Sequence, residues 1–174
     1  FQQNQGSVTP PVGFAKYAGF TSLSSYTLGA SEACSLQHVI EGNNIADLNW
    51  GTADAKTITL SFWVRSSLTG TFNVSLRGGA IYIFDYTITQ ANTWEYKTLT
   101  AVGSTSGTWG TGTSAGITAY FTLGYGSNFV TTANTWGVSG IATSGAVNLI
   151  GTSGATFYIT GVQLEAGSTA SSFA

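Results

Sequence analysis

Ile58, Leu60, Phe62 and Val64 alternate strictly with Thr57, Thr59, Ser61, Trp63 and Arg65, and nothing else in the chain limits its fold as much. A period of two puts the four apolar side chains on one face of a strand. Thr57 to Arg65 is therefore expected to be a central strand of a sheet with one face buried. The opposite face is not blandly polar, because Trp63 and Arg65 place a large ring and a fixed positive charge on it. Whether a ligand or a neighbouring subunit covers that face is the functional question the sequence raises, with the subunit the favoured expectation.

Around this strand the chain reads as a succession of short alternating segments. Cys34, Leu36, His38 and Ile40 mark one that ends at Gly42. Asn43 or Asn44 is positioned to cap a helical turn before Trp50. After Thr57 to Arg65, a turn at residues 66–70 and an apolar set of Phe72, Val74 and Leu76 predict a hairpin. Gly78-Gly79 is a second turn, followed by Ile81 to Ile88, with Tyr82, Phe84, Tyr86 and Ile88 on one face. Thr93 to Val102 is a further strand. Residues 103–116 carry five glycines and form a loop displaying Trp109. Ile117, Ala119, Phe121 and Leu123 mark the next strand, and a long polar loop then holds Tyr125, Phe129 and Trp136. Short strands are expected near Val138 to Ala142 and Ala146 to Ile150. In Thr156 to Glu165 the apolar phase changes between Ile159 and Val162, which predicts a bulge at Thr160-Gly161.

Many short strands separated by glycine-rich turns predict an all-β, two-sheet antiparallel β-sandwich. A jelly roll fits best, since long loops lie where crossovers would and the first and last strands have room to pair. An immunoglobulin-like sandwich is the alternative, although its Cys…Trp…Cys framework is missing. At 174 residues one domain suffices, drawn as 13–174, with 1–12 as a linker. Absence of methionine and the start at Phe1 suggest the ordered or cleaved part of a longer polypeptide that continues upstream.

Composition narrows the chemistry. Charged residues make up 7% of the chain and net charge is −2, so Lys16, Lys56, Arg65, Arg77 and Lys97 form no nucleic-acid footprint. No apolar run is long enough to insert in a membrane. Cys34 is the only cysteine and reads as a small core residue. His38 is the only histidine and has no nucleophile elbow beside it. Nothing in the spacing of Glu32, Glu41, Asp47, Asp54, Asp85, Glu95 and Glu165 selects a glycosidase pair. No segment has the acidic density of a calcium loop, although backbone carbonyls could hold such an ion. The expectation is a chain without catalytic residues, cofactor or metal.

Aromatic residues are 13% of the chain, five of them tryptophans. Such rings stack on sugars or anchor subunit interfaces. Trp50 is expected to plug one end of the sandwich and Trp94 to pack at a strand start. Trp109, Tyr125 and Trp136 lie in polar loops with no automatic burial, where ligand recognition and loop anchoring are both open.

The closing run from Thr156 to Phe173, TFYITGVQLEAGSTASSF, resembles the C-terminal signature of bacteriophage tail-fibre and related virion proteins, which typically end ITGVQLE-G-S-ATPFE. The resemblance extends in order through Ile45 to Thr52, Thr59 to Ser67, Thr87 to Glu95, Leu123 to Phe129 and Ala146 to Ala155, and covers about residues 32–173. Two departures are the Ala170-Ser-Ser-Phe-Ala ending and a short turn over Gly78 to Asp85. The resemblance implies a jelly-roll module like those that bind carbohydrate, placed at the end of a fibre and commonly a homotrimer, located in the virion. It transfers no catalytic residue and no particular glycan. The expected function is host attachment through a surface glycan or protein receptor; the loop reading makes Trp109, Tyr125 and Trp136 its ligand contacts, and the strand alternation makes Trp63 with Arg65 a ligand or subunit face. A purely structural capsid-fibre, decoration or tail-assembly domain, and a carbohydrate-binding module of a cellular glycoside hydrolase, are the alternatives.

Overall fold

The computed structural model of the chain describes residues 2, 3 and 8–173. Nine strands follow one another: β1 Gln2–Gln3, β2 Ala18–Thr21, β3 Ala33–Glu41, β4 Ile58–Ser66, β5 Gly70–Arg77, β6 Ile81–Ile88, β7 Glu95–Ala101, β8 Ala115–Tyr125 and β9 Thr156–Ala166. They form two antiparallel sheets, ordered β1-β2-β9-β4-β7 and β3-β8-β5-β6. Apart from the two-residue β1, the pairing is nested: β2 with β9, β3 with β8, β4 with β7 and β5 with β6. Such nesting is a long hairpin rolled into two layers, the jelly-roll form of the β-sandwich. Its innermost turn is Gly78-Gly79.

Ile58, Leu60, Phe62 and Val64 of β4 are buried, as the alternation predicts. They face Phe72, Val74 and Leu76 of β5 and Tyr86 of β6 within one core. Phe62 lies 5.2 Å from both Tyr86 and Phe121, joining the two sheets edge to face. A one-residue slip of β4 would expose all four apolar side chains, at about 1.5–3 kcal/mol each, so the register is held firmly.

Three sequence expectations are corrected here. β4 and β5 do not form a hairpin, because they belong to different sheets. Alternation reports a buried face, and two strands facing each other across a core carry the same signal as two strands paired side by side. No strand ladder forms over 138–150; Val130 and Ala142 make one isolated bridge and residues 149–151 a 3-10 turn. The helical signal before Trp50 resolves into two 3-10 turns without a side-chain cap, and Asn44 instead donates from Nδ2 to Glu41 Oε2.

The bulge in β9 is present. Ser61 pairs with Gln163 and Trp63 with Thr160, leaving Gly161 and Val162 opposite Phe62. Gly161 has φ +61°, a left-handed conformation that glycine adopts without a Cβ penalty. Of the segment read as a linker, Gln2–Gln3 pairs with β2, and Thr9 accepts a hydrogen bond from the Trp94 indole. Residues 1 and 4–7 lie outside the described residues.

Edge strand β7 carries Glu95 and Lys97 on its core-directed row, joined by a 2.6 Å ion pair. Charges placed this way discourage another strand from adding to the edge. Burial pushes the Glu95 carboxyl up, but hydrogen bonds from Lys97, Gln90 N–H and both Thr89 donors outweigh it and hold the pKa down at about 2, against an ordinary 4.5. A carboxylate so depressed stabilises the fold above its unfolded pKa, and that stability is lost as pH falls from about 4.5 through about 2. Glu95→Gln is expected to cost about 1–2 kcal/mol at neutral pH. The difference from wild type should shrink over that acid window, as read by urea unfolding at a series of pH values.

Tyr86 is a buried group whose hydroxyl has no partner, and burial pushes its pKa far up. An unpaired buried hydroxyl costs about 1–3 kcal/mol. Tyr86→Phe should therefore raise the unfolding midpoint by about 1 kcal/mol equivalent, and a loss of stability would show that the hydroxyl is satisfied.

Candidate aromatic binding groove

The bulge decides which side chains leave the five-stranded sheet. Before it, Tyr158 and Thr160 face outward; beyond it, Gln163 and Glu165 do so, while Val162 and Leu164 turn onto the core. On β4 the outward row is Thr59, Ser61, Trp63 and Arg65, and Tyr96 of β7 lies directly across from Trp63. The two rings are 5.3 Å apart and tilted by 42°.

Here a groove of about 330 Å³ opens on the outer face. Ser61 and Trp63 form its floor and Tyr96, 44% exposed, one side. The other side is built by the chain's own ends: Phe14 from the N-terminal segment and Ala170 to Phe173 from the tail. Phe14 and Phe173 pack with centroids 5.3 Å apart. Phe14 rests over Gly161, where a Cβ would come within 2.6 Å of the Phe14 ring. The covering of the Trp63 face is thus partly intramolecular, an option that strand periodicity does not signal.

Arg65 does not line the groove. Its Nη1 donates to the Asn92 carbonyl, and Asn92 takes the left-handed φ of +57° that turns the loop toward it. Trp63 and Arg65 share a face but not a site.

The loop aromatics divide differently. Trp109 and Trp136 come together with Trp50 at one end of the sandwich, the three indoles 4.8, 5.1 and 5.7 Å apart and edge to face. Trp50 and Trp109 are only 7% and 8% exposed. Each indole N–H donates to a backbone carbonyl: Trp50 to Lys56, Trp109 to Ser106 and Trp136 to Val102. These rings tie three glycine-rich loops together, and Gly78 admits them, since a Cβ there would come within 2.4 Å of Trp109. Tyr125 lies apart, its hydroxyl donating to Ala146 beside Ile141 and Ala142. Burial pushes its pKa up. Trp109, Trp136 and Tyr125 each donate to a backbone carbonyl of another or the same loop.

Trp63 differs from the other tryptophans. Trp94 donates to Thr9, so four of the five indole N–H groups hold a carbonyl of the chain. Among the described residues, Trp63 alone keeps its donor free, and it lines the groove. The carboxylates are mostly engaged in holding loops: Glu32 takes Gly29 N–H and the Tyr26 hydroxyl, and Asp85 the Thr143 hydroxyl. Among the described residues no three His, Cys, Asp or Glu side chains gather as a metal site, and no helix is long and apolar enough to cross a membrane. His38 is exposed on edge strand β3 and Cys34 half-buried.

Trp109→Ala is expected to cost about 3–5 kcal/mol of stability, the range for emptying a buried aromatic site. Trp63→Ala should cost clearly less, and denaturant unfolding of the two variants separates a structural ring from one presented for contact. Comparison with protein-family models, with curated proteins and with solved structures finds no match to this chain, so the groove is understood from its own geometry.

Proposed function

We propose that this chain is a non-enzymatic binding domain at the tip of a phage tail fibre or tail protein, attaching the virion to a host surface glycan or receptor. The observation that carries the binding reading is Trp63, the tryptophan with a free indole N–H, set beside Tyr96 in an open groove. Flat apolar faces with polar edges are what a pyranose ring stacks against, and a groove of about 330 Å³ is in the range of small-ligand sites. The virion assignment rests on the resemblance of residues 156–173 to tail-fibre C-termini. The jelly-roll fold agrees with it and does not by itself select it.

Glycan-array screening followed by calorimetry tests the reading. A host-envelope saccharide is expected to bind wild type, and Trp63→Ala should weaken it at least about tenfold while the unfolding curve remains cooperative. If Trp63→Ala instead leaves every ligand untouched and changes the oligomeric state in light scattering, the ring belongs to a subunit interface and the structural reading replaces this one.

A further inference from the structure

We infer that the C-terminal segment Ala170 to Phe173 is itself part of the ligand site, with Phe173 a specificity-determining contact, Glu165 the residue that positions the segment, and an uncharged saccharide as the ligand class. This rests on the groove reading above and extends it to residues that no strand presents.

The tail is built to stay in place by side chains. Beyond Gly167, whose N–H donates to Thr57, it makes no backbone-to-backbone hydrogen bond among the described residues. Ser171 supplies the attachment instead: its N–H donates to Glu165 Oε2 at 3.0 Å, its hydroxyl to Glu165 Oε1 at 2.6 Å, and Gln163 Nε2 donates to Ser171 Oγ at 3.1 Å. Gln163 and Glu165 face outward only because the Gly161 bulge shifts their phase; an unbulged β9 would turn Val162 and Leu164 outward. The same glycine seats Phe14, against which Phe173 packs. One backbone irregularity thus sets both parts of the groove wall.

Charge selects the ligand class. No Asp, Glu, Lys, Arg or His lines the groove. Two formal charges on the same outer face are already engaged, Arg65 by the Asn92 carbonyl and Glu165 by Ser171. An anionic sugar would lose water without gaining a cation from the lining residues, which disfavours it. A neutral sugar finds the aromatic rings of Trp63, Tyr96 and Phe173 and the exposed Ser172.

The test titrates wild type, Trp63→Ala, Phe173→Ala and Glu165→Gln with cellohexaose, maltohexaose, chitohexaose and trigalacturonate. Hydrogen exchange is followed at the tail amides. At least one neutral hexasaccharide should bind wild type and lose about tenfold in affinity in both Phe173→Ala and Glu165→Gln, and trigalacturonate should not bind. Exchange at Ser171 should rise in Glu165→Gln, with β4 and β9 unchanged. Binding lost in Trp63→Ala but intact in both tail variants overturns the tail's role and leaves the groove reading standing. Preference for trigalacturonate overturns the uncharged class, and wild type that binds no saccharide overturns both this inference and the glycan reading beneath it.

Discussion

The contact of Phe62 with Tyr86 and Phe121 across the sandwich is the interaction on which the remaining structure depends. It joins β4 of one sheet to β6 and β8 of the other, at the point where nested pairs must close into two layers. Phe72 and Phe157 make a similar contact 6.1 Å apart. Once these aromatics are buried, the register of every strand in the core is set, because the outward rows are whatever the inward rows leave. Trp63 faces outward because Phe62 and Val64 face inward.

A chain with so few charges needs another way to hold long glycine-rich connections. Here the indole serves: it buries a large apolar area and offers one directed donor, and four of the five tryptophans hold a loop carbonyl in this way. This explains why a count of aromatic residues is a poor guide to a ligand site in such a protein. What distinguishes Trp63 from the other four is the indole donor it has left over.

The Gly161 bulge converts a local backbone irregularity into a surface. By changing the phase of β9 it keeps Val162 and Leu164 in the core and directs Gln163 and Glu165 outward to the tail. By lacking a Cβ it lets Phe14 rest on the sheet. Phe14 and Phe173, remote in sequence, become neighbouring parts of one wall.

Much of the fold was legible in the residues themselves. Period-two alternation determined the strands around Ile58 to Val64 and Tyr82 to Ile88, and the phase change between Ile159 and Val162 determined the bulge, since side-chain direction along a strand is a local property of the backbone. The two-sheet sandwich followed from strand length and turn spacing. Partnership was not local: β4 and β5 read as a hairpin and lie in opposite sheets, because burial is the same signal whether the partner lies beside a strand or across the core. The site was divided in the same way. Trp63 could be placed on the non-core face from sequence, but its separation from Arg65, the burial of Trp109 with Trp50 and Trp136, and the wall built from Phe14 and Phe173 depend on contacts between residues far apart in the chain. Only tertiary packing decides such contacts, because it alone determines which polar edges are used internally and which remain open to a ligand.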